Sequence, residues 1–256
     1  TIRINSEDDG INAAGKKDEN PAADTLAFEN SFGNRRGQDG GSFGVTEGAY
    51  IRISGGDVKI NASGDGIDSN GDLYLEGGTV LVEGPAGGGD GALDYDGEGS
   101  ISGGTILAVG SAGMFRTFSE ESSQSMLVVY FDEIQAAGST ISVKDGQGNQ
   151  LTETKVSKTF EALLFSSPEL KTGEIYYIEA GDQDIQVAVN SILNQYGGPS
   201  GSGFGRMPGG GSGDFEKKPG AGNISGKASV VEIQEALLAE TLPEGIHILG
   251  SRGNVE

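Results

Sequence analysis

Apolar and polar residues alternate with a period of two through short stretches of the first half of the chain. In Tyr50-Ile-Arg-Ile-Ser-Gly-Gly-Asp-Val-Lys-Ile-Asn61, Ile51 and Ile53 fall on one side and Arg52 on the other; beyond the Gly-Gly pair, Val58 and Ile60 lie opposite Lys59. That period marks a half-buried β-strand. The unit returns as Leu73-Tyr-Leu-Glu-Gly-Gly-Thr-Val-Leu-Val-Glu83 and Ser100-Ile-Ser-Gly-Gly-Thr-Ile-Leu-Ala-Val109. The second glycine of each pair falls at Gly56, Gly78 and Gly104, spacings of 22 and 26 residues. Each unit is a short strand, a Gly-Gly bend, a second short strand and a polar turn. One unit cannot bury its apolar row alone; stacking the units buries a continuous core and pairs each backbone with its neighbour. The pattern predicts an all-β chain built on a right-handed parallel β-helix, a solenoid, over residues 1–111. The hand follows from the general preference of parallel crossovers. An antiparallel sandwich with coincidental Gly-Gly turns is the competing arrangement. Thr1-Ile-Arg-Ile-Asn5 matches Asp57-Val-Lys-Ile-Asn61, which predicts that an earlier coil begins outside the chain.

Two stretches interrupt the pattern, a long polar insertion over 16–47 and an extended turn over 84–91. The second half reads differently. Met126-Leu-Val-Val-Tyr-Phe131, Thr140-Ile-Ser-Val-Lys144, Phe160-Glu-Ala-Leu-Leu-Phe165, Ile175-Tyr-Tyr-Ile178 and Ile185-Gln-Val-Ala-Val189 are strand-like runs, and Asp145-Gly-Gln-Gly-Asn149 is a hairpin turn. They predict a small antiparallel β subdomain over 112–196 that caps the solenoid. Residues 197–222 have the composition of a Gly-rich linker. Residues 223–256 form a C-terminal tail. In it Val230, Val231, Ile233, Ala236, Leu237 and Leu238 fall at helical spacing, which predicts a short amphipathic helix over 228–241.

Composition narrows the chemistry. The chain has 256 residues, 46 of them glycine, no cysteine and one histidine, His247. Disulfides and thiolate sites are excluded, and zinc or Ser-His chemistry has almost nothing to use. His247, between Ile246 and Ile248, reads as structural. The 38 acidic residues against 17 basic ones give a formal charge of −21, which repels nucleic acid and anionic membrane surfaces. No apolar run reaches the length of a membrane span, and no signal peptide is apparent.

The acids recur at fixed offsets. The polar turns read Ser6-Glu-Asp-Asp-Gly-Ile-Asn12, Ser63-Gly-Asp-Gly-Ile-Asp68-Ser-Asn-Gly-Asp72 and Gly89-Asp-Gly-Ala-Leu-Asp94-Tyr-Asp-Gly97. Asp9 and Asn12 match Asp65 and Asp68 at an offset of 56, and Asp94 and Asp96 match Asp68 and Asn70 at an offset of 26. Asp90 is displaced by one residue, which suggests a bulge. Equivalent residues of stacked coils lie about 4.8 Å apart, so columns of carboxylates repel unless a hard cation sits among them. Asp65, Asp68, Asn70, Asp90, Asp94 and Asp96 offer oxygens alone, which selects calcium. Asp-Gly and Asn-Gly are also ordinary turn formers, which accounts for a single turn but poorly for three in register. The segment from Asp65 to Asp72 faintly resembles an EF-hand loop, without that motif's closing glutamate or its helices.

These turns, with Leu73-Tyr-Leu-Glu-Gly-Gly-Thr-Val80 between them, resemble the secreted bacterial carbohydrate-binding, calcium-binding β-helix proteins, a family akin in fold to polysaccharide lyases. The resemblance covers residues 1 to about 190, most specifically 48–110. It implies a right-handed parallel β-helix holding Ca2+, with Asp9, Asn12, Asp65, Asp68, Asn70, Asp90, Asp94 and Asp96 as ligands. It also implies binding of cellulose or polygalacturonate-like acid sugars without established cleavage, and a place outside the cell or on the bacterial surface. Three functions are weighed. As a binding module, the chain would stack sugar rings on Tyr50, Tyr74 or Tyr95 beside Arg52 and Lys59. As a calcium-dependent lyase, it would use Arg52, Lys59 or Arg116 as the base. As a fibre subunit, it would assemble with copies of itself through the open N-terminal coil or the C-terminal tail.

Overall fold

The structure is a computed structural model that describes residues 1–14, 45–198, 230–233 and 254–255. Most of the 16–47 insertion, the linker beyond residue 198, Leu237 and Leu238, and His247 lie outside the described residues. The molecule is all-β, and no helix occurs among the described residues.

Strands β1 (Ile2–Ser6), β3 (Tyr50–Ala62), β5 (Asp72–Glu83) and β7 (Gly99–Gly110) pair in parallel. Ile4, Ile60 and Val82 stand in one row, and Ile51 and Leu73 in another. The shorter strands β2 (Ile11–Ala13), β4 (Ile67–Ser69) and β6 (Leu93–Tyr95) form a second parallel ladder. The inward positions that the alternation marked are buried: Ile51, Ile53, Val58, Ile60, Leu73, Leu75, Val80, Val82 and Ile101 lie in one core between these two ladders. Each long strand turns at its Gly-Gly pair. Gly56, Gly78 and Gly104 have φ of 87°, 87° and 78°, the left-handed region that side chains with a Cβ adopt at a cost.

The large sheet does not end at β7. β11 (Phe160–Ser166) pairs antiparallel with its second half, followed by β8 (Met126–Gln135) and β14 (Leu193–Tyr196). A four-stranded antiparallel sheet, β10 (Gln150–Lys155), β9 (Thr140–Asp145), β12 (Ile175–Ala180) and β13 (Gln183–Ala188), covers the other face of this extension. Here the apolar runs are continuous because both faces are buried. Ile106, Ala108, Met126, Val128 and Leu164 face the first core, while Leu107, Val109, Leu127, Val129, Leu163 and Phe165 face the second. The expected hairpin at Asp145–Asn149 is present, its turn held by Asp145 Oδ1 accepting the N–H groups of Gln147 and Asn149.

The helix expected over 228–241 is corrected for its first part. Val230–Ile233 is a strand, β15, parallel to Tyr50–Ile53 of β3, and β16 (Asn254–Val255) pairs antiparallel with β1. Val230, Val231 and Ile233 are β-branched, which favours extended chain, and the edge of β3 supplies partners for the backbone. Ala236 and the remainder of that segment lie outside the described residues.

Candidate functional site

Two groups of side chains stand out on the parallel half. The first is the acidic column. The ladder of β2, β4 and β6 sets Asn12, Asp68 and Asp94 in register. Backbone bonds from Asn70 to Ala13 and from Asp96 to Ser69 carry it on, so Asn70 and Asp96 stand one above the other. Strand alternation turns these side chains away from Ile67 and Ser69, which are buried.

Upstream the carboxylates act as caps between neighbouring turns. Asp9 Oδ1 accepts the N–H of Asp65 at 2.9 Å, and Asp65 Oδ1 accepts that of Gly91 at 2.6 Å. Asp72 repeats the device, taking the N–H of Glu98 at 2.8 Å. Gly91, not Asp90, therefore occupies the position equivalent to Asp65. The pairing of β4 with β6 runs from Ile67 to Ser69 without a register shift, and Gly66 continues it by donating to Gly91. Asp90 falls opposite Gly64 and is exposed, so the bulge expected there is a displaced residue at the end of a longer turn.

Asn12 Nδ2 donates to Asp9 Oδ2 at 3.0 Å and to Asp68 Oδ2 at 2.6 Å, while its Oδ1 is buried without a partner. The amide nitrogen thus takes the place between two carboxylates that a cation would take. Crowding shows in the acidities. Burial, then Asp9, Asp65, Asp94 and Asp96, pushes the Asp68 carboxyl up to about 7. Asp65 is pushed up to about 6, chiefly by burial, against the opposing pull of its bond from Gly91. Among the described residues no three acidic or histidine side chains converge closely enough to hold a metal ion by themselves. The donor set fits a cation in part: Asp9 and Asp68 converge on the Asn12 side chain, which would ligate only with its amide turned to present Oδ1, and Asp65 and Asp94 are adjacent, whereas Asp90 does not join them. At the far end Arg116 Nε lies 3.5 Å from Asp94 Oδ1, and its guanidinium lies over the Tyr95 ring at 4.8 Å.

The second group lies on the outward face of β3 and β5. Tyr50 and Tyr74 approach at 6.3 Å between ring centres, tilted by 60°. The Arg52 guanidinium lies 5.3 Å from the centre of one ring and 5.4 Å from the other. Its Nε is 3.4 Å from Glu76 Oε1 but off the line of a hydrogen bond, and it is buried without another acceptor. The Tyr74 hydroxyl donates to Asp72 Oδ2 at 2.8 Å, which pushes the phenol up to about 12.

No family model, no curated protein and no solved structure matches the chain.

Of the residues expected to meet sugar, the fold thus brings together Tyr50, Arg52 and Tyr74. Tyr95 stands apart on β6, its ring packed against the first core and its hydroxyl donated to Thr117 O at 2.5 Å. Lys59 is exposed beyond the Gly-Gly bend, beside Arg3. The sequence reading missed Glu76 and the Arg116–Asp94 pair. Glu76 sits beside the Gly77–Gly78 bend, and the register of β3 with β5 is the only signal that brings it to Arg52. Arg116 follows the last repeat, so no repeat offset points to Asp94.

Proposed function

We propose that this protein binds polysaccharide and that its stacked strand–turn–strand units form a right-handed parallel β-helix. The pairing of β1, β3, β5 and β7 in one parallel ladder and of β2, β4 and β6 in another supports that reading of the fold. The observation that carries the function is the Tyr50–Arg52–Tyr74 cluster on an outward sheet face. Two tyrosine rings, tilted by 60° to each other and bridged by a guanidinium, give an angled apolar surface rimmed by hydrogen-bonding groups, against which a sugar ring can pack. Asp72, Glu76 and Glu98 make the rim acidic. Neutral, cellulose-like chains therefore suit the cluster directly, and acid sugars need a cation between the two negative surfaces.

Calcium is the cation proposed, held by Asp9, Asn12 and Asp68 with Asp65 and Asp94 adjacent. When bound, it supplies positive charge that cancels the column and attracts sugar carboxylates. Asp96 and Asn70 extend the same oxygen-lined strip. Extracellular calcium suits sites of modest affinity, on the order of 10⁻⁴–10⁻³ M, and the proposed place of action is outside the cell or on its surface. The strongly negative charge disfavours nucleic acid as a partner.

Calorimetric titration with cello-oligosaccharides and with oligogalacturonate, each with calcium and with chelator, tests the reading. Cello-oligosaccharide binding is expected in both buffers and oligogalacturonate binding only with calcium. The Tyr50→Ala, Tyr74→Ala double variant is expected to lose at least tenfold in affinity for both. Absence of heat with every glycan sinks the proposal. One observation favours a lyase as a second reading, the cationic Arg116 beside Asp94 at the end of the acidic column. Ultraviolet absorbance of an unsaturated uronate, lost in Arg116→Ala, would establish it.

A further inference from the structure

The row of strands to which β3 belongs is built from two distant parts of the chain. The second half of β3 is paired by β1, with Ile2 opposite Val58 and Ser6 opposite Ala62. Its first half is paired by β15, with Val230 opposite Tyr50 and Ile233 opposite Ile53, in the same parallel sense. β15 therefore lies where the leading strand of one more unit would lie, ahead of β1. The fit extends beyond backbone pairing. Ile233 is 7% exposed and belongs to the first core, and its carbonyl accepts a hydrogen bond from Ser54 Oγ at 3.2 Å. β16 pairs with the outer edge of β1, so both described strands of the C-terminal tail lie along this end of the sheet.

The connection to β15 is long. β14 and β15 stand six strand positions apart in the sheet, roughly 29 Å at ~4.8 Å per step. Residues 199–229, 31 in number, separate the last described residue of the body from β15. Extended, they reach about 100 Å. That length lets β15 reach its own β3 and, equally, the β3 of a neighbouring copy.

We propose that the slot beside Tyr50–Ile53 is a strand-acceptor site whose partner is a second copy of this chain, docking by its own Val230–Ile233. A second copy supplies the same four residues in the same register with the same Ile233 anchor. The exchange makes no new contact and loses none, so the balance between self-pairing and exchange is set by protein concentration and tether length. The inference is independent of sugar binding.

Two measurements test it. Deleting residues 203–229 leaves a four-residue tether that spans about 17 Å at full extension, well short of the roughly 29 Å that self-pairing needs. This variant is expected to run as a dimer or larger at micromolar concentration by sedimentation equilibrium, where the full chain is expected to run as a monomer. Adding Ile233→Asp is expected to return it to a monomer. A shortened variant that keeps the full chain's thermal midpoint and stays monomeric overturns the proposal, as does association that survives Ile233→Asp. The second measurement keeps the tether intact. The chain has no cysteine, so Arg52→Cys and Glu232→Cys variants, whose positions are paired in register, are mixed at rising concentration under mild oxidation. Disulfide-linked heterodimer that grows as concentration approaches millimolar is expected. Its absence throughout that range overturns the proposal even if the shortened chain fails to fold.

Discussion

At the scale of single residues, the acidic column sets hydrogen-bonding roles against charge repulsion. Asp9 and Asp65 each cap an N–H of the next turn, a role best filled by a charged acceptor. Asp68 has the Asn12 amide for a partner and four carboxylates around it. Its carboxyl is raised to about 7 in the folded protein from 3.8 in the unfolded chain. The folded form therefore keeps a proton that the unfolded form releases from about pH 4 upward, and the associated stability is fully present below that pH and lost as pH rises to about 7. Taken whole, the shift corresponds to about 4 kcal/mol. Discounted by half for the solvent that still reaches the side chain, it is about 2 kcal/mol, or roughly 5 °C in a protein of this size. In chelator the thermal midpoint is expected to fall by about that much between pH 4 and pH 8, with Asp65 adding to the slope, and Asp68→Asn is expected to flatten it. A wild-type profile that is level over this range contradicts the assignment. The offsets of 56 and 26 made the column legible from sequence. What each carboxylate bonds was not legible, because that depends on Gly91 rather than Asp90 taking the position opposite Asp65, a choice set by how the 84–91 turn closes.

At the scale of elements, the Gly-Gly bend decides whether the strands can stack. A Cβ on Gly78 would lie 2.7 Å from Gly55 C and from Gly56 O, and its φ of 87° is unfavourable for any side chain. Gly104 meets the backbone of Gly77 and Gly78 in the same way, so each bend nests in the one before it. Gly78→Ala is expected to cost about 2–4 kcal/mol, combining left-handed backbone strain with displacement of a backbone that cannot yield. The control is Gly87→Ala in the 84–91 turn, where an added Cβ meets nothing within 4 Å; it is expected to change stability by less than about 0.5 kcal/mol. Urea denaturation of the three proteins measures both values, and equal midpoints would remove the bend from any account of the fold. The bends and the strand alternation were readable because each follows from local chemistry repeated along the chain. β15 was not, since Val230, Val231 and Ile233 fit helical spacing as well as strand spacing, and only the edge of β3 decides between them.

At the scale of the whole molecule, the parallel half and the four-stranded sheet are joined by a second core and by one polar clip. The core could not be foreseen from alternation, because Ile106 to Val109 and Met126 to Val129 are apolar at every position and show a face only when both sheets are in place. The clip comes from the turn between β10 and β11. Ser157 gives both its N–H and its hydroxyl to Glu83 Oε2, each at 2.6 Å. Lys158 Nζ, half-buried, donates to the carbonyl oxygens of Ala62, Glu83 and Gly84. One ammonium thus ties the ends of β3 and β5 to the other sheet. Burial holds the Lys158 ammonium below its ordinary pKa while Glu83 pulls the other way, so desolvation consumes part of what the three bonds contribute. Lys158→Met keeps the stem and removes the donors. It is expected to destabilise by about 1–2 kcal/mol, the range for leaving partly buried carbonyls without a donor, and to lower the thermal midpoint by roughly 2–6 °C. Lys158→Arg is expected to recover part of the loss, since a guanidinium reaches more than one carbonyl but is bulkier at the corner. Calorimetry distinguishes a clip from a bystander: a Lys158→Met midpoint within 1 °C of wild type would leave the apolar core alone holding the two sheets together.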